Sequence, residues 1–166
     1  VVLAIFAGVS TAASWQEILV YLNRTSAGIT DPQFHLDVSF YMFELPFYQG
    51  LVSLISSALL VSLVLALVVH LVFGAIRFAP RAISFTKAAR VQVATTAALF
   101  VIVQGASLWL DQFSTMTSSS GLYTGATYAD VNAVIPGFQI MAAIAVLVGA
   151  LFLVTAFVGR WRQIGR

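Results

Sequence analysis

From Leu51 to Val69 the sequence carries no charged residue, and the run is apolar around the whole helix it would form. A stretch of that kind matches a hydrocarbon layer about 30 Å thick, which about 20 helical residues cross with every backbone hydrogen bond made internally. Val91 to Leu110 and Gly137 to Val158 have the same character, and Val1 to about Leu22 makes a fourth run. A water-soluble helix keeps one polar face, which these runs lack. Hydrophobic residues form 60% of the chain and charged residues 8%, against about 25% charged in soluble domains. The expected fold class is all-α, a polytopic transmembrane helical bundle. Its spans are expected at about 1–22, 50–72, 91–110 and 137–159, with outer loops 23–49 and 111–136 and an inner loop 73–90.

Small residues suggest where helices meet. Ala4, Gly8 and Ala12 fall four apart in the first span, and Ala145 and Gly149 do so in the fourth, a spacing that lets a neighbouring helix approach closely. Trp15 marks the water interface, and Ile18, Leu19 and Leu22 continue its face, so this helix is expected to leave the bilayer and lie against it. Val1-Val2-Leu3 has no basic n-region or cleavage site and reads as the interior of a helix. The chain is therefore expected to be part of a longer protein.

The segment Asp31 to Tyr48, DPQFHLDVSFYMFELPFY, organises the first outer loop. Asp31-Pro32 reads as a helix start, with a capping carboxylate and proline at the first helical position. Asp37 can cap a second short helix, which Pro46 would interrupt or re-aim. Phe40, Phe43 and Phe47 are spaced for one helical face, with Tyr41 and Tyr48 beside it. Phe34, Leu36, Val38 and Phe40 also alternate with polar residues, which leaves a short strand open. The segment is too polar to cross lipid and too aromatic to float in water, so it is expected at the interface.

Charge placement sets an expected orientation. Arg77, Arg81, Lys87 and Arg90, with Arg160, Arg162 and Arg166, lie in the inner loop and C-terminal end; Asp31, Asp37, Glu44, Asp111 and Asp130 lie in the other two loops. The positive-inside rule puts the basic ends in the cytoplasm and loops 23–49 and 111–136 outside. The expected partners are the lipid bilayer, with anionic headgroups at the basic loop, and other transmembrane helices of the same longer chain or of a membrane complex. Nucleic-acid binding would need a larger basic surface.

Polar residues inside the spans are few. His70 closes the second span, where it can reach headgroups, and Gln104 is the strongly polar residue inside the third. Gln104 reads as a bond to a neighbouring helix, or as a substrate contact. The chain has no cysteine. His35, Asp31, Asp37, Glu44 and Asp130 match no EF-hand or zinc spacing, and capping explains two of them, so no metal site is assigned. No Ser-His-acid arrangement or phosphate-cradling glycine loop is present, so no catalytic residue and no cofactor are assigned.

The segment DPQFHLDVSFYMFELPFY resembles a signature of uncharacterised protein family 0182, large bacterial membrane proteins. The resemblance rests on Asp31, Pro32, Phe34, Asp37, Phe40, Tyr41, Phe43 and Pro46. It extends to Trp109-Leu110-Asp111 and to GATYADVNAVIP, with Gly125, Tyr128, Asp130 and Pro136, and departs at Gln112, Phe113 and Ala129. It implies about seven N-terminal membrane helices followed by a large extracytoplasmic domain, with this chain holding the third to sixth helices. It implies no defined activity. The expected function is an anchor or scaffold in the cell envelope, with a transporter or channel module for an apolar or lipidic substrate as the alternative.

Overall fold

The computed structural model of the chain describes residues 15–79, 82–118 and 125–158. Most of the first expected span, with its Ala4, Gly8 and Ala12 face, lies outside the described residues, as do Arg160, Arg162 and Arg166. What is described of that span is α1 (Trp15–Leu22). Three longer helices follow: α2 (Leu45–Val72), α3 (Lys87–Ser114) and α4 (Ile135–Val158). With the turns that lead into and out of them, all three are long and apolar enough to cross a membrane. The fold class is all-α, with one small exception.

That exception joins α2 to α3. Strands β1 (Ile76–Ala79) and β2 (Ala82–Phe85) form an antiparallel hairpin with Ile76 opposite Phe85 and Phe78 opposite Ile83. Apolar and polar residues alternate in Ile76-Arg77-Phe78 and in Ile83-Ser84-Phe85, the period of a strand. Thr86 then starts α3, its Oγ1 accepting the Ala89 N–H at 3.3 Å.

Helices α2 and α4 begin in the same unusual way. Asp37 caps the first: its carboxylate accepts the Ser39 N–H at 2.8 Å and its carbonyl accepts the Phe40 N–H at 2.9 Å. A π-turn at Phe40–Glu44 follows, closed by the Leu45 N–H on the Phe40 carbonyl, and Pro46 comes next. Thr127 and Asp130 cap the second reciprocally: Thr127 N–H donates to Asp130 Oδ2 at 2.7 Å and Asp130 N–H to Thr127 Oγ1 at 3.2 Å. Its π-turn is Asp130–Val134, closed by the Ile135 N–H on the Asp130 carbonyl, and Pro136 follows. The two proline helices therefore run on without interruption. A proline removes one donor from the ladder, and the wider turn just before it absorbs the mismatch. Pro46 does not interrupt its helix, but the π-turn just before it re-aims the residues ahead, the second of the two outcomes expected from the sequence.

Among the described residues the chain forms two compact units. The first holds residues 15–54, 107–118 and 125–140. Its buried residues include Tyr41, Leu45, Ile135 and Gln112. The second holds residues 55–79, 82–106 and 141–158. Its buried side chains are mostly methyl groups, Ala66, Ala89, Ala98, Ala142 and Ala156, with Ile76, while Leu60, Val64, Leu65, Ile144, Leu147 and Leu151 face outward. Small residues inside and large ones outside reverse the pattern of a water-soluble core and match helices solvated by lipid tails.

Within the second unit α3 and α4 meet through a reciprocal seam. Gly105 faces Ala142, and Gly149 faces Ala98. Glycine on each helix meets alanine on the other, and the two sites are one heptad apart on both. That spacing keeps a seam on one side of a helix over two turns.

Candidate functional site

The first outer loop is built on two carboxylates. Asp31 does not start a helix: residues 32–34 form a single turn, with exposed Pro32 inside it. Its Oδ1 accepts the N–H groups of Gln33 (2.7 Å) and Phe34 (2.9 Å), and its Oδ2 accepts the Leu36 N–H (3.2 Å) and the Tyr41 hydroxyl (2.7 Å). Asp37 also binds away from its helix, taking the Ser26 hydroxyl and the N–H groups of Ala27 (3.1 Å) and Gly28 (3.0 Å). Backbone bonds from Asp31 N–H to the Leu36 carbonyl and from Val38 N–H to the Ile29 carbonyl close the loop. The possible strand reduces to one bridge, Thr30 to Asp37. His35 turns the tip with φ 56°, a left-handed conformation that histidine tolerates better than most residues.

These bonds set the acidity of both groups. Slight burial raises the Asp31 carboxyl, but the Tyr41 hydroxyl and three backbone donors outweigh it and leave it below the usual range. The Ser26 hydroxyl and Ser39 N–H hold Asp37 further below its ordinary value. Both carboxylates act as latches that gather donors.

Aromatic rings fasten this loop to the helix ends. Phe34 and Phe40 pack on Phe113 with centroids 4.8 and 5.3 Å apart, and Tyr41 meets Phe40 edge to face. Phe47 stacks on Tyr21 at 4.2 Å. Arg24 lies 4.6 Å above the same Tyr21 ring and pairs with Glu44 at 3.1 Å. Phe43 is half-buried in the π-turn.

Three glutamines join the helix ends; sequence reasoning had passed over Gln49 and Gln139 and marked Gln112 only as a departure from the family motif. Gln49 Nε2 donates to Ser114 Oγ at 2.9 Å and to Asp111 Oδ1 at 3.4 Å. Gln139 Nε2 donates to Gln112 Oε1 at 2.9 Å, and Gln112 Nε2 reaches the Trp109 carbonyl at 2.8 Å. Gln112 is 1% exposed. A repeated pattern could have revealed this: Leu45-Pro46-Phe47-Tyr48-Gln49 and Ile135-Pro136-Gly137-Phe138-Gln139 both place Gln three residues after the proline.

The remaining motif residues are less involved. Trp109 is half-exposed and Tyr128 is 85% exposed. Gly125 adopts φ 119° and donates its N–H to the Ser118 carbonyl at 2.9 Å, a conformation that favours glycine. In the second unit His70 Nε2 lies 3.1 Å from Gln92 Oε1, and Ser56 Oγ donates to Gln104 Oε1 at 2.9 Å. Both polar residues inside the spans thus pair across α2 and α3. Among the described residues no three His, Asp or Glu side chains gather into a metal-holding group.

Long apolar helices with methyl-lined interiors are the features of a helical transmembrane protein. The chain belongs to the Uncharacterised protein family (UPF0182), whose family model matches residues 1–165. It is similar to UPF0182 protein CMS1887 of Clavibacter sepedonicus, 49% identical over 163 residues that cover 97% of this chain and 17% of the relative. The UPF0182 protein of Kocuria rhizophila is 45% identical over 161 residues, covering 97% of this chain and 16% of the relative. UPF0182 protein TW644 of Tropheryma whipplei is 43% identical over 157 residues, with 94% and 16% covered. The chain spans about a sixth of the length of these relatives. No solved structure matches it.

Proposed function

We propose that this chain is a multi-pass membrane anchor and scaffold in the bacterial cell envelope, holding a large extracytoplasmic domain or partner protein. The supporting observation is the construction of the first unit. Two carboxylate latches, an aromatic cluster on Phe113 and the glutamine contacts of α3 hold the loops to the helix ends. A loop fixed at so many points suits bearing a load better than opening and closing. In this reading loops 23–49 and 111–136 face outward, and the hairpin with its basic residues lies against anionic headgroups in the cytoplasm.

Single-cysteine labelling in the complete protein, with any other cysteines replaced, tests the orientation. Gln33→Cys and Thr117→Cys are expected to react with an impermeant maleimide in intact cells, and Lys87→Cys only after permeabilisation. The reverse pattern would overturn the orientation.

A second reading, transport of an apolar or lipidic envelope substrate, is favoured by one feature: Gln104 is exposed on α3 within the spanning region. Flux of a fluorescent phospholipid through proteoliposomes, lost on Gln104→Leu, would select it over the anchor.

A further inference from the structure

The Gln104 carboxamide is half used. Its Oε1 accepts the Ser56 hydroxyl at 2.9 Å, while its Nε2 finds no acceptor among the described residues and stays exposed. The side chain cannot simply turn inward, because the next residue, Gly105, packs against Ala142 and fixes the roll of α3. Gln104 lies five residues before Trp109, about 8 Å along the axis. On the membrane reading above, on which this inference rests, that position is inside the hydrocarbon. Lipid tails carry no acceptor, and water is excluded.

We propose that the Ser56–Gln104 pair marks the docking face for a further transmembrane helix of the longer protein, one that brings a hydrogen-bond acceptor to Gln104 Nε2. Two observations select this occupant. Anything lying at that depth must satisfy its own backbone, which a helix does by itself. A serine or threonine hydroxyl, a side-chain amide or a loosened backbone carbonyl would supply the acceptor. The matched segment is also only 16–17% of each of these relatives, so most of their length is available to supply the helix. The face is suited to contact: Ser53 and Ser57 flank Ser56, and Leu60, one turn further on, is 47% exposed.

The test places a photoreactive benzoyl-phenylalanine at Leu60 in the complete protein, in membranes containing a mixture of isotopically heavy and light chains. Val72, twelve residues beyond Leu60 on α2 and also exposed, serves as the comparison. The expected result is a same-isotope adduct from position 60 to a helix outside residues 1–166, with a yield that drops several-fold on Gln104→Leu. A mixed-isotope adduct would mean a second copy of the chain and overturn the proposal. So would adducts confined to lipid, to another protein or to residues 1–166, or a yield unmoved by Gln104→Leu. If Gln104→Leu is lost from the membrane, the adduct of the otherwise unchanged chain still decides. Carbonate extraction of the same membranes separates the two failures: release into solution defeats the membrane reading, whereas retention without the adduct defeats only the docking face.

Discussion

Gly149 and Ala98 stand backbone to backbone: a methyl group on the glycine would lie 3.0 Å from the Ala98 carbonyl oxygen and overlap Ile102 Cγ1. Gly137, in the same helix, has nothing within 4 Å of that position. Gly149→Ala is therefore expected to destabilise by about 1–3 kcal/mol through overpacking, despite alanine's better helix propensity. Gly137→Ala should be neutral or stabilising by up to about 1 kcal/mol. Thermal unfolding of the detergent-solubilised protein measures both, and equal effects would mean that the seam is loose.

The outer loop should loosen in acid. Asp37 titrates below its ordinary value of 3.8 in the folded chain, so its latch is complete above that pH and is lost as the pH falls through the folded value. Asp31 contributes in the same direction. Hydrogen exchange at Ala27 and Gly28, corrected for intrinsic rates, should show protection at pH 6 that declines below about pH 4. In Asp37→Asn the low-pH decline should be largely absent.

Gln112 and Gln139 should be energetically coupled. Truncating Gln112 to Ala leaves the Gln139 amide without its acceptor and opens a buried site, for an expected loss of about 1–3 kcal/mol. A double-mutant cycle with Gln139→Ala should return a coupling of about 0.5–1.5 kcal/mol. A coupling near zero would show that the 2.9 Å contact carries no stability.

Phe113 is expected to matter more to the loop than the more conspicuous Tyr128. Phe113→Ala removes the ring on which Phe34 and Phe40 rest, and proteolytic cleavage within residues 23–37 should accelerate. Tyr128 is 85% exposed, so Tyr128→Ala should leave cleavage unchanged.

The long helices were legible because an uncharged run has few alternatives: Leu51 to Val69 has to be a span, and it lies within α2. Asp37 was legible as a cap because a carboxylate before a helical run has an obvious use. Asp31 misled in part, since the same carboxylate served a single turn and the Tyr41 hydroxyl instead of a helix. The hairpin at Ile76–Phe85 was hidden behind its arginines, which drew attention to headgroups while the alternation around them went uncounted. Gln112 was invisible for a different reason. Nothing in its local sequence separates a buried amide from a surface one; only Gln139, distant in sequence, gives it a partner.

The π-turns before Pro46 and Pro136 have a practical consequence for anyone assigning faces to these helices. Each wide turn takes in one more residue than an α-turn, so the residues ahead of Leu45 and Ile135 are out of phase with those behind by roughly 100°. A helical wheel drawn unbroken from Val38 to Val72 will rotate Tyr41 away from its true direction and display Asp31's partner on the wrong side. Probes, labels and substitutions aimed at a chosen face should be counted separately on either side of each proline.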